Sequence, residues 1–123
     1  MSGEYSILIV DDIGTVRSLL HQTLIRFGLS KIDEAASAQS CLEKVSNQYD
    51  LIFLDIELPD GDGSELIHDI NEISPSTNVV MISAHSTLEN VKGSIERGAK
   101  GFVVKPFSPE KIAGVLKKLL PKL

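Results

Sequence analysis

Four short apolar runs punctuate this sequence, and each delivers a polar residue at its end. Ile7-Leu8-Ile9-Val10 leads into Asp11-Asp12, Leu51-Ile52-Phe53-Leu54 into Asp55, Val79-Val80-Met81-Ile82 into Ser83, and Phe102-Val103-Val104 into Lys105. Runs of this length, rich in branched and aromatic residues, predict strands covered on both faces. Such a sheet needs helices above and below it, and the intervening segments supply them.

Val16, Leu19, Leu20, Thr23, Leu24 and Phe27 recur on one helical stripe, with Gly28 as its stop. Ile32 to Ala35 is a more polar strand, suited to a sheet edge. Ser37 can cap a helix that turns Cys41, Leu42 and Val45 inward. After Asp55, the residues Glu57, Pro59 and Asp60-Gly61-Asp62-Gly63 turn the chain. Asp62 and Glu65 have capping-box spacing before a helix with Leu66, Ile70 and Ile73 inside, ended by Pro75. Ser86 and Glu89 repeat that spacing before a helix expected to bury Val91 and Ile95 and to stop at Gly98. Ser108-Pro109 opens a last helix with Ile112, Val115, Leu116 and Leu119 inward. Strict alternation predicts an α/β fold: a doubly wound, five-stranded parallel sheet with five helices and right-handed crossovers. A polar second strand at the edge fits the order 2-1-3-4-5.

The 123 residues fit one domain over 1–123. A net charge of −5 argues against direct nucleic-acid binding, which needs a basic face. No apolar run approaches the ~20 residues of a membrane span, and no basic-then-apolar leader opens the chain. Cys41 is the only cysteine, so no internal disulfide forms, which fits a cytoplasmic setting. It reads as packing; a redox or metal role would need a second ligand nearby.

In open parallel sheets, ligands bind at the carboxyl ends of the strands. Asp11, Asp12, Asp55, Ser83 and Lys105 all fall there, and only the polar edge strand is expected to contribute nothing. Clustered carboxylates repel unless a cation joins them or a pKa rises. Mg²⁺ (or Mn²⁺) suits such oxygen donors, and it takes substrate phosphate for its remaining positions. Lys105 and Ser83 add donors opposite, which suits a phosphoryl group. Asp55 is then the candidate nucleophile, forming an acyl phosphate. Pro106 biases Lys105 to extended geometry, and a cis Lys105–Pro106 bond is a candidate feature.

These residues, with Ser83-Ala84 and the stretch Gly98-Ala99-Lys100-Gly101-Phe102-Val103-Val104-Lys105-Pro106-Phe107, resemble the receiver domain of two-component response regulators over nearly the whole chain. Receivers are CheY-like in topology, a flavodoxin-like order, so the strand order rests partly on that resemblance. The resemblance implies that Asp55 is the phosphoacceptor, charged by a sensor histidine kinase or a histidine phosphotransfer domain. Asp12, Asp55 and the backbone carbonyl of Glu57 would ligate Mg²⁺, with Asp11 acting mostly through water. Lys105 would contact the phosphate, and Ser83 and Phe102 would form the switch. Phe102 stands where chemotaxis regulators typically carry tyrosine, which weighs against an output that uses the hydroxyl. Glu57 and His85, two residues beyond Asp55 and Ser83, either tune phosphate lifetime or are solvated.

The chain stops after the last helix, so a stand-alone regulator is expected. Its target would be a protein bound on the last two helices and the fifth strand. Lys117, Lys118 and Lys122 there either complement the helix dipole or meet that partner. Catalysis would be limited to its own phosphorylation and dephosphorylation. A phosphorelay shuttle or phosphate sink is the near alternative. An aspartate-nucleophile phosphohydrolase would want its nucleophile on an early strand under a cap. A flavodoxin would want a Ser/Thr/Gly-rich loop where Asp11-Asp12 stands. His21 and His68 read as helix-surface residues, and Asp60 and Asp62 as turn and cap.

Overall fold

The computed structural model describes residues 4–85 and 87–122. Its strands are β1 (Ser6–Val10), β2 (Lys31–Ala35), β3 (Leu51–Asp55), β4 (Glu57–Leu58), β5 (Gly61–Asp62), β6 (Asn78–Ser83) and β7 (Gly101–Val104). Its helices are α1 (Gly14–Arg26), α2 (Ala38–Val45), α3 (Leu66–Ile73), α4 (Leu88–Glu96) and α5 (Pro109–Leu119), with one 3-10 turn at Gly63–Glu65. Among the described residues, one sheet runs β2-β1-β3-β6-β7 with every pair parallel. That is the expected order, with the two short strands β4 and β5 set apart as a hairpin.

Alternation along the strands divides the core into two layers. Leu8, Val10, Ile52, Leu54, Val79 and Met81 pack with Cys41 and Val45 of α2 and Leu66, Ile67 and Ile70 of α3. Ile7, Ile9, Leu51, Phe53, Val80, Ile82 and Val103 pack with Leu20 and Leu24 of α1 and Ile112 and Leu116 of α5. All of β3 is buried, so Asp55 is carried out of the centre of the sheet on a fixed strand. Each of these large side chains contributes about 1.5–3 kcal/mol on leaving water.

Helix ends follow their chemistry. Ser37 and Ser40 cap reciprocally at α2, and Ser108 accepts from Lys111 N–H ahead of Pro109. Gly28 (φ 94°) and Gly98 (φ 115°) sit in the left-handed region just past α1 and α4, as helix stops do.

Some expectations fail. Leu19, Ile73 and Ile95 are 53%, 45% and 47% exposed instead of buried. On α4 the buried residue is Ser94, next to Ile95. One position of helical phase carries Ile95 out to solvent, while Val91 is half-buried. The cap of α4 is Thr87, whose hydroxyl accepts from Asn90 N–H; the expected Ser86 lies outside the described residues. Asp62 accepts from Ser64 N–H and opens the 3-10 turn, so no capping box forms with Glu65. His21 is half-buried and bonded to Glu34, not a free surface residue, whereas His68 is exposed and pairs with Glu72 one turn on.

Candidate functional site

The parallel sheet delivers β1, β3, β6 and β7 to one edge, where the acids and the lysine expected there meet. The carboxylates of Asp11, Asp12 and Asp55 offer oxygens all within 4.8 Å of one another. Asp11 and Asp55 are buried and Asp12 is exposed. Lys105 reaches in from the end of β7: its Nζ lies 2.6 Å from Asp11 Oδ2 and 3.2 Å from Asp55 Oδ2. The Lys105–Pro106 peptide is cis.

The two buried acids are held by short-range geometry. Asp11 Oδ1 accepts from Ile13 N–H at 2.9 Å, and Asp55 Oδ1 accepts from Glu57 N–H at 3.2 Å. Ser83 is fully buried, and its hydroxyl accepts from His85 N–H at 2.9 Å. Glu57 and His85, each two residues beyond a candidate site residue, touch one another, with His85 Nε2 3.3 Å from Glu57 Oε2. Phe102 is half-buried against the layer beneath α2 and α3.

The electrostatics follow from the burial. Burial pushes the Asp55 carboxyl above its usual range and the Asp11 charge adds to this; Lys105 and the Glu57 N–H only partly offset them. Burial works against the Lys105 ammonium, but its close contact with Asp11 and the charges of Asp55 and Asp11 outweigh that, so its pKa is raised. One lysine therefore faces three acids, and a net negative charge remains. Asp11 Oδ2 is buried and lacks a well-oriented donor despite the nearby ammonium. An all-oxygen donor set with an under-satisfied buried oxygen fits a hard divalent cation such as Mg²⁺.

The turn that follows Asp55 is built tightly. Gly63 N–H donates to Ile56 C=O at 2.6 Å, and a Cβ at Gly63 would collide with the carbonyl oxygen of Asp55. Asp60, at the tip of the β4–β5 hairpin, accepts from Ala38 and Gln39 N–H at 2.8 and 3.0 Å. It caps a helix far away in sequence, and those N–H groups hold its pKa low.

Sequence reading missed one group. Arg17 Nη1 donates to the Asp11 carbonyl at 2.6 Å, and Arg17 Nε donates to Glu34 Oε1 at 3.0 Å. His21 Nδ1 lies 2.8 Å from Glu34 Oε2. The edge strand β2, expected to contribute nothing, therefore supplies Glu34 behind the first acidic pair. The polar composition of Lys31–Ala35 marked a sheet edge, but not which residue of α1 Glu34 would meet.

A five-stranded parallel sheet in this order, with acids and a lysine gathered at its carboxyl edge, is the arrangement of a receiver-like α/β domain. The chain belongs to the response regulator receiver domain family, which it matches over residues 7–117. It is 32% identical over 117 residues to the chemotaxis protein CheY of Bacillus subtilis (strain 168), covering 94% of this chain and 98% of that protein. The CheY-like receiver domain protein of Methanospirillum hungatei JF-1 superposes with a TM-score of 0.89 at 31% identity, covering 97% and 95% of the two chains. The CheY of a CheX–CheY–BeF3–Mg²⁺ complex from Borrelia burgdorferi gives 0.88 at 32% identity, covering 94% and 89%. Domains of this kind are signalling modules of two-component systems.

Proposed function

We propose that Asp55 accepts a phosphoryl group from a phosphohistidine on a sensor histidine kinase or a histidine phosphotransfer domain. A carboxylate oxygen of Asp55 bonds to phosphorus as the phosphorus–nitrogen bond breaks, and the imidazole leaves. The observation that carries this reading is the placing of Lys105 Nζ between Asp11 and Asp55 at the carboxyl edge of the sheet. Asp12, Asp55 and the Glu57 carbonyl would hold Mg²⁺, with Asp11 acting through water. When bound, the ion supplies positive charge to the phosphoryl oxygens. Lys105 moves its donor from Asp55 to the incoming phosphate. Ser83 redirects its hydroxyl to the same group, and Phe102 follows inward as the second half of the switch. Glu57 and His85, in contact with one another, would set how readily water reaches the phosphate.

The output in this reading is a protein partner on the face of α4, β7 and α5. Leu88 and Ile95 of α4 are exposed, and a groove between β7 and α5 is lined by Lys100, Lys111 and Lys118. Among the described residues no helix is long and apolar enough to cross a membrane, and the role calls for a cytoplasmic setting beside the kinase. Acetyl phosphate with Mg²⁺ tests the reading. Intact mass should show one added phosphate on the wild type and none on Asp55→Asn; equal labelling of both would reject it.

A further inference from the structure

The contacts behind the acid cluster form a chain that runs from the site to the edge strand. Asp11 is fixed at both ends of its backbone: its N–H donates to the Ala35 carbonyl at 3.1 Å, and its C=O accepts from Arg17. That carbonyl belongs to the peptide linking Asp11 to Asp12. Whatever holds it sets the plane from which both acidic side chains depart. Arg17 is in turn held by Glu34 of β2, and the second oxygen of Glu34 is taken by His21. Burial would raise the Glu34 pKa, but His21 and Arg17 more than compensate, so Glu34 stays ionised opposite Arg17.

The charge balance matters as much as the geometry. Arg17 is a mostly buried guanidinium one hydrogen bond from a cluster that must attract a cation. Unpaired, it would compete for those acids. Paired with Glu34, it offers a donor to a carbonyl while its charge is cancelled on the far side. Groups that orient ligands from behind in this way commonly change metal affinity tenfold or more when removed.

We infer that Arg17 and Glu34 are positioning residues for the divalent-cation site, with Glu34 acting only through Arg17. This rests on reading Asp11, Asp12 and Asp55 as that site. The test is Mg²⁺ titration by calorimetry of the wild type, Glu34→Gln, Arg17→Met and the double variant. Melting temperature without Mg²⁺ is read in parallel.

Glu34→Gln, nearly isosteric, should weaken Mg²⁺ binding roughly tenfold. In the Arg17→Met background the same substitution should change Mg²⁺ affinity by less than about twofold, because pairs acting as a unit are not additive. Arg17→Lys, which keeps a charge for Glu34 and a donor for the carbonyl, should recover part of the affinity lost in Arg17→Met. A merely structural ion pair would lower the melting temperature in all variants and leave Mg²⁺ affinity unmoved, overturning the inference. An equal effect of Glu34→Gln in both backgrounds would overturn it too. Wild-type binding abolished by Asp12→Asn but indifferent to Glu34→Gln rejects this inference alone. No Mg²⁺ binding by the wild type rejects the cation site as well.

Discussion

Lys105→Met tests whether the lysine is the internal counter-ion of the acid cluster. The substitution keeps most of the stem and removes the ammonium that lies 2.6 Å from Asp11 and 3.2 Å from Asp55. Breaking a buried ion pair from one side typically costs 3–5 kcal/mol. The Lys105 side chain is 15% exposed, so some solvent screens the remaining acids and the lower end applies. A loss of about 3 kcal/mol in a chain of this size lowers Tm by about 12 °C.

The sign with pH follows from Asp55. Its pKa is raised in the folded state, so its ionisation destabilises the fold as pH rises through that value, and protonation relieves the strain. Without Lys105 that pKa rises further. The deficit should therefore be larger at neutral pH than in mild acid, where more of Asp55 is protonated. Saturating Mg²⁺ should also narrow it, and the variant should bind Mg²⁺ more tightly than the wild type while failing to switch. Melts followed by circular dichroism at both pH values, with and without Mg²⁺, measure all of this. A deficit that ignores both pH and Mg²⁺ would refute the role of Lys105 as counter-ion.

Further outcomes follow from single contacts. Gly63→Ala would press a methyl group into the Asp55 carbonyl, so it should lower Tm and abolish phosphate uptake together; uptake at the wild-type rate would show that the turn tolerates a side chain. Glu34 has a depressed pKa, so its contribution to stability is present above the usual carboxylate range and fades as pH falls through the lowered value. Glu34→Gln should therefore flatten the acid limb of the stability–pH curve, and an unchanged limb would contradict the pairing. Burial pushes the Cys41 thiol up to about 12, so iodoacetamide at mildly alkaline pH should label it only after unfolding; fast labelling of the folded protein would contradict its burial.

The strands were legible because a buried parallel strand needs an unbroken apolar run, and four such runs are plain in the chain; their order came from the polar edge strand and partly from the family resemblance. The candidate site was legible for the same reason: Asp11, Asp55, Ser83 and Lys105 each sit at the end of a run, and parallel strands bring those ends to one edge of the sheet. Helix faces were less so. Ile95 and Leu19 match the helical period as well as any core residue does, and only the packing of neighbouring elements decides which side of the stripe is covered. Asp60 capping α2 and Glu34 bracing Arg17 are contacts between distant segments, invisible to any local pattern. The aligned carboxyl ends locate a crevice, but they do not say what stands behind it.

The central claim is that Asp55, among Asp11, Asp12 and Lys105, carries the phosphate. Borohydride reduction after treatment with acetyl phosphate converts a phosphorylated aspartate to homoserine, which peptide mass spectrometry can locate. Homoserine at position 55, formed only when phosphodonor and Mg²⁺ are both present, is the predicted result. Homoserine at Asp11, Asp12 or Asp60 instead, or its formation regardless of Mg²⁺, would contradict the account.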